Sequence, residues 1–306
     1  MDLQLLATQI LNGVQLGVLL FLLSAGLTLI FGIMNFVNLA HGSLYMMGAY
    51  VAAAVFNTYG SFVLALLAAV PAAILIGIIL DRVVLAGLYS REHLDQVLAT
   101  FGLILVFNEI VRYLWGSAPI YINAPQALRG TLEFFGFEYP SYRIFIIAVG
   151  LLCGLGLYLL INKTRVGMLI RAGAADAEMV DAMGTNIRRL NTLIFGLGAG
   201  LAGLGGVMAG PILSVQPGMG EPILILTLVV IVTGGIGSIR GAFYGALIVG
   251  LVDTLGRAFM PAAFNELLAK SLAQAAGPAV ASMLIYLLMA FVLAIRPHGL
   301  FPVRNG

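Results

Sequence analysis

The chain is poor in the residues on which soluble domains and most enzymes depend. Of its 306 residues only 9% are Asp, Glu, Lys or Arg, against about 25% in an ordinary soluble domain. The single cysteine, Cys153, lies inside an apolar run, which excludes an intrachain disulfide and argues against a cysteine-based metal site. Three histidines, His41, His93 and His298, are too scattered in sequence to read as a metal cluster. The net charge of +2 is spread over the polar connections, so there is no nucleic-acid footprint. Neither a GxxxxGKS/T loop nor HExxH nor GxSxG occurs. The chain therefore has no P-loop of its own for ATP and no visible nucleophile–base pair, and it reads as a non-enzyme. Met1 to Gln9 lacks a basic segment, so the first apolar run is expected to be a retained helix with its N-terminus outside.

What fills the chain instead is apolar: 61% of the residues are hydrophobic. Several apolar runs reach ~20 residues, enough for a helix rising 1.5 Å per residue to cross ~30 Å of hydrocarbon. A β-barrel would show alternating segments of about ten residues. The expected fold is an all-α polytopic transmembrane helical bundle, one membrane domain over residues 1–306. It should have about nine crossings, or eight if a short piece is re-entrant. Spans are expected near Leu5–Phe31, Leu44–Phe56, Phe62–Leu80, Gln96–Trp115, Arg143–Ile161, Thr192–Val215, Pro222–Val232, Ala242–Phe259 and Pro278–Ile295, with Pro261–Gly277 a connection of mixed polarity. Alternating these from an outside N-terminus puts ten basic residues on the cytoplasmic side, among them Arg82, Lys163, Arg171, Arg240 and Arg304, and only Arg129 and Lys270 clearly outside. That bias fits the positive-inside rule. Small-xxx-small pairs such as Gly13/Gly17 and Gly196/Gly200 suit close helix packing in lipid.

Two polar breaks interrupt this background. The first, Gly32–Tyr50, reads GIMNFVNLAHGSLYMMGAY, and the second is TGGIGSIRG, from Thr233 to Gly241. Hydrocarbon penalises irregular backbone by several kcal/mol per unsatisfied group, so such breaks need a purpose. They also resemble each other weakly. His41-Gly42-Ser43-Leu44-Tyr45 aligns with Arg240-Gly241-Ala242-Phe243-Tyr244, and each opens a short helix. Matching broken segments in two halves point to a transport site; in the topology above both lie toward the cytoplasmic side. Asn35 and Asn38 can cap the helix that follows or leave its amides free for an anion. Glu109/Arg112 and Asp253/Arg257 are spaced i,i+3 and i,i+4, as self-neutralising pairs or as a proton or substrate contact.

The largest polar connection, residues 162–190, contains an alanine-rich helix expected over about 172–184 and closed by Gly184. Ala175, Met179 and Ala182 should share a face. From the residues alone, this helix either lies at the lipid interface or docks in a partner's groove.

The block LNGVQLGVLLFLLSAGLTLIFGIMNFVNLAHGSLYMMGAY, with LATFGL (98–103), TRVGMLIRAGAADAEMVDAMGTN, TGGIGSIRGAFYGA and the tail RPHGLF, resembles the branched-chain amino-acid permeases of ATP-driven importers, over nearly the whole chain. That resemblance implies a homologous second permease subunit, two cytoplasmic ATPase subunits that hold ATP and magnesium, an extracytoplasmic solute-binding protein, and a bacterial cytoplasmic membrane location. No cofactor is implied for this chain itself. The resemblance also implies that Ala174, Ala175, Asp176, Glu178, Met179, Ala182 and Gly184 belong to the segment that touches the ATPase. The glutamate that opens the broader importer signature is missing, with Ala-Ala-Asp at 174–176. On this reading Asn35, Asn38, His41, Tyr45, Arg240 and Tyr244 are candidates for the pathway or its gate. The rival is a stand-alone ion-coupled carrier or channel, which would need intramembrane carboxylates or a selectivity filter.

Overall fold

A computed structural model describes residues 3–134, 137–267 and 270–302; Arg304, counted above as cytoplasmic, lies outside them. Eleven α-helices and one β-hairpin make up the described chain: α1 Leu3–Met34, α2 His41–Tyr59, α3 Phe62–Val83, α4 His93–Trp115, β1 Thr131–Phe134, β2 Phe137–Pro140, α5 Ser141–Lys163, α6 Arg165–Ala175, α7 Ala177–Ala182, α8 Ile187–Ala209, α9 Gly220–Gly234, α10 Ile239–Leu267 and α11 Lys270–Ile295. Seven of them are long and apolar enough to cross a membrane. α2 and the 15-residue α9 are the two further apolar pieces, so the architecture is the helical bundle expected.

α1 and α8 form its centre. Their most apolar windows are 78% and 72% buried, against 28% or less for the other five long helices. The outer helices turn apolar side chains outward, among them Leu67 and Leu75 on α3, Leu98 and Phe101 on α4, and Leu152 and Phe291 on α5 and α11. In water such a surface would aggregate; in lipid it is the solvated face. Glycine lets the inner helices approach backbone to backbone. A Cβ at Gly250 would stand 2.5 Å from the Gly17 nitrogen, and one at Gly206 would run into the Tyr45 carbonyl of α2.

The ends of the bundle are told apart by what holds α1. Near its start, Asn12 accepts from the Tyr139 hydroxyl at 3.1 Å and from Arg143, tying it to the hairpin and α5. Near its end, Ile33 packs beside Gly173 of α6. One end thus carries the β-hairpin and the other carries α6 and α7.

Two expectations change. The Pro261–Gly277 connection is largely helix: α10 continues through Pro261 and α11 begins before Pro278. The mixed polarity belongs to protruding helix ends, and Gly277 lets α11 pass close to Pro261, where a Cβ would stand 2.7 Å from the proline Cα. The helix over 172–184 is two helices. Asp176 is extended (φ −156°, ψ 98°) and its side chain accepts from the Met179 N–H at 2.9 Å. A residue that caps a new helix stops the old one.

Candidate functional site

The chain break after α1 is built by Asn35, whose φ of 47° is the one left-handed value outside glycine among the described residues. Asparagine tolerates this conformation better than most residues. Its N–H closes the last turn of α1 on the Phe31 carbonyl at 2.9 Å. From there residues 35–40 lead to His41, whose Nε2 donates to the Leu23 carbonyl at 3.2 Å. Since Leu23 lies eleven residues before the end of α1, the segment doubles back by about 16 Å of helix rise. α2 therefore opens deep between α1, α8 and α9.

Neither asparagine caps α2. The cap position is Ala40, with no side-chain bond to the helix; the tight fold-back leaves Asn35 exposed and Asn38 buried. Asn38 is 1% exposed, yet neither its amide oxygen nor its nitrogen has a partner. His41 Nδ1 is also buried and unpartnered. With Nε2 committed as donor, Nδ1 of the neutral ring is left as a free acceptor. Tyr45 is buried against Gly205 and Gly206.

The second break is arranged differently. α9 ends at Gly234, and the tail closes it: the Leu300 and Phe301 N–H groups donate to the Thr233 and Gly234 carbonyls at 2.9 and 2.8 Å. These are carbonyls a helix end leaves unsatisfied. Gly299 permits that approach, since a Cβ there would stand 2.6 Å from Gly235 Cα, and its φ is 81°. Tyr244 stacks on Phe301 with ring centroids 5.0 Å apart. Arg240 is exposed.

The two breaks do not share a level. Gly42 approaches Gly220 at the start of α9, whereas Gly241 approaches Gly234 at its end. α9 separates them by about 21 Å at 1.5 Å per residue. His41–Tyr45 thus sits apart from Arg240 and Tyr244, which corrects the expectation that both lie at one side.

Arg240 instead belongs to a cavity of about 610 Å³ bounded by α1, α5, α6 and the α9–α10 connection. Ala174 and Ala175 at the end of α6 reach the same cavity. The remainder of this segment faces away from the bundle. Asp176, Glu178, Met179, Ala182 and Gly184 are exposed, and Val180 is the buried anchor. Gly184 (φ 88°) ends α7 as expected, with the Thr185 N–H returning to the Val180 carbonyl at 3.2 Å.

Two polar contacts are absent from the sequence reading. Asn108 of α4 donates to Glu221 at 2.6 Å and accepts from the Gly218 N–H at 3.0 Å, fixing the start of α9. Asp81, buried at the end of α3, accepts from Thr192 of α8 at 2.7 Å and from Tyr89. Burial and the Asp81 hydrogen bond push the Tyr89 phenol well above its ordinary pKa. The only available signal was a polar residue in or beside an apolar run, which does not name its partner. The two spaced ion pairs form as spaced: Glu109–Arg112 at 2.7 Å on the surface and Asp253–Arg257 at 2.9 Å with the carboxylate buried.

A bundle with two buried central helices and an apolar exterior defines a multi-pass membrane protein, and its two broken passages are of the kind that transport sites use. Residues 9–293 match the family model described as the branched-chain amino acid transport system permease component, and the chain belongs to that family. It is 30% identical over 305 residues to the high-affinity branched-chain amino acid transport system permease protein LivH of Salmonella typhimurium, covering 95% of this chain and 94% of that one. A probable LivH from Methanocaldococcus jannaschii is 28% identical over 262 residues, covering 81% and 80%. The fructose import permease protein FrcC of Rhizobium meliloti is 30% identical over 189 residues, covering 56% and 51%. No solved structure matches.

Proposed function

We propose that this permease is one subunit of an ATP-driven importer for branched-chain or other hydrophobic amino acids. A homologous second permease, two ATPase subunits carrying ATP and magnesium, and an external solute-binding protein complete it. The observation that carries the reading is the exposed α6–α7 segment at one end of a bundle that belongs to this permease family. Met179 and Met183 are 58% and 79% exposed there, a face suited to a protein groove. The same end gathers Arg82, Lys163, Arg165, Arg171, Arg188 and Arg189 around α6 and the adjoining helix ends, so it is the cytoplasmic end by the positive-inside rule. The N-terminus then lies outside the bacterial inner membrane, with the hairpin end facing the binding protein.

ATP binding in the partners closes them and moves α6–α7, and the bundle responds as a two-state element. The pathway opens where the starts of α2 and α9 part. Asn38 and His41 there hold buried polar atoms that have no partner among the described residues. Selectivity rests largely on the binding protein. Glu109 and Asp253, the two carboxylates the ion-coupled rival would call on, are each paired with an arginine, which disfavours that rival.

Proteoliposomes holding the chain with its partners and binding protein should take up leucine only with ATP inside. Uptake by the lone chain on an ion gradient would sink the importer reading. A small amide or sugar taken up in place of leucine would keep the mechanism and change the solute.

A further inference from the structure

The cavity between α1, α5, α6 and the α9–α10 connection has a composition that the transport reading does not use. Two guanidinium groups, Arg171 and Arg240, border it, and no carboxylate is among its lining residues. Arg171 donates to the Ile161 carbonyl. The Arg240 side chain makes no hydrogen bond or ion pair among the described residues. The two ion pairs of the described chain lie elsewhere, so both arginines keep their full charge available. α10 begins at Ile239, beside Arg240, and a helix start adds partial positive charge. Thr28, in the wall that α1 contributes, is 1% exposed with a hydroxyl that has no partner.

Asn162 and Ser238 add polar groups at the rim, and the rest of the wall is apolar, with Leu29 and Ile33 of α1, Ile161 of α5 and Ile170 of α6. At one edge stands Tyr158 of α5, 47% exposed, with Leu155 and Leu159 outward beside it on the same bare apolar helix. A cationic floor that opens sideways onto a lipid-facing helix is complementary to a molecule with an anionic head and an apolar tail. The cavity, about 610 Å³, is also much larger than a free phosphate requires.

We propose that this cavity binds the phosphate headgroup of an anionic phospholipid, held by Arg171 and Arg240, with its acyl chains along α5. Basic pockets between helices at the cytoplasmic surface bind such headgroups elsewhere. Because Arg171, Ala174 and Ala175 belong to α6 and Arg240 to the start of α10, the lipid bridges the ATPase-facing segment and the bundle. The proposal goes beyond the importer reading and stands whatever solute is carried.

The full-length chain is compared in nanodiscs of phosphatidylcholine with and without phosphatidylglycerol, and by native mass spectrometry with each lipid added. Phosphatidylglycerol should be retained as a discrete adduct and raise the melting midpoint, and phosphatidylcholine should do neither. Retention should fall about fivefold in Arg240→Gln and about twenty-fivefold in Arg171→Gln/Arg240→Gln, with melting in phosphatidylcholine unchanged for Arg240→Gln. Arg112→Gln, which removes a cation already paired with Glu109, should retain the lipid fully. Arg240 is exposed and bonds to nothing in the protein, so its variant reads binding even if loss of the Arg171–Ile161 contact disturbs the double variant. Full retention by Arg240→Gln, or equal retention of both lipids, overturns the proposal. So does a midpoint raised by inorganic phosphate or glycerol phosphate but not by phosphatidylglycerol, which would assign the cavity to a free anion.

Discussion

The five residues His41–Tyr45 and the five residues Arg240–Tyr244 look alike in sequence and do alike things to the backbone. Each opens a helix, and each places a glycine where a side chain would strike a glycine of α9. A Cβ at Gly42 would stand 2.4 Å from the Gly220 carbonyl, and one at Gly241 2.3 Å from that of Gly234. Their chemistry differs in every other respect. The first sits among buried, partly unpartnered polar groups at one end of α9. The second sits at the other end, with an exposed arginine over a cavity and a tyrosine that docks the tail. What recurs is a steric requirement, two helices meeting backbone to backbone on either end of a short third one. A shared motif here marks shared geometry and not shared chemistry.

That contrast can be broken most forcefully at the glycines. Gly42→Val and Gly241→Val should each destabilise the chain by about 3 kcal/mol or more, because backbone cannot yield as a side-chain tip can. Thermal unfolding in detergent and the yield of monodisperse protein measure this, and tolerance at one position alone would end the equivalence. Next in size, His41→Ala should lose about 2 kcal/mol by the same measurement, for a vacated buried volume and a lost hydrogen bond to the Leu23 carbonyl. Arg240→Ala should stay within about 0.5 kcal/mol, as an exposed side chain without partners.

Asn38→Leu sharpens the contrast with the opposite sign. Removing a buried amide that makes no bond should raise stability by about 1 kcal/mol. Solute uptake should fall at the same time if those atoms serve the pathway; a variant with both properties improved would make Asn38 a packing residue only. The most local effect is expected at Asp176→Ala. Loss of the α7 cap should cost about 1 kcal/mol locally, leave the melting of the bundle unchanged, and weaken coupling between ATP hydrolysis and uptake.

The bundle was legible because hydrocarbon enforces its rule residue by residue: a run of about twenty apolar side chains has one economical conformation. Span positions, the two breaks, both ion pairs and the Gly184 stop followed from such local constraints. Long-range choices did not. Asn35 and Asn38 are good caps in isolation, yet the fold-back to Leu23 spends one on a left-handed corner and buries the other. Asp176 reads as a tolerable helix residue until its side chain is seen to serve Met179. Asn108 and Glu221 are 113 residues apart, and no periodicity relates them. Pro261 and Gly277 suggested a loop, where tertiary packing keeps both in helices.

One consequence of α9 concerns electricity. Its 15 residues rise about 22 Å, some 8 Å less than the hydrocarbon thickness. Irregular backbone at both ends makes up the difference, shielded from lipid by neighbouring helices. A charge carried to the start of α9, beside His41, would therefore sit part-way through the membrane and feel only a fraction of the roughly 2.3 kcal/mol per 100 mV that a full crossing is worth.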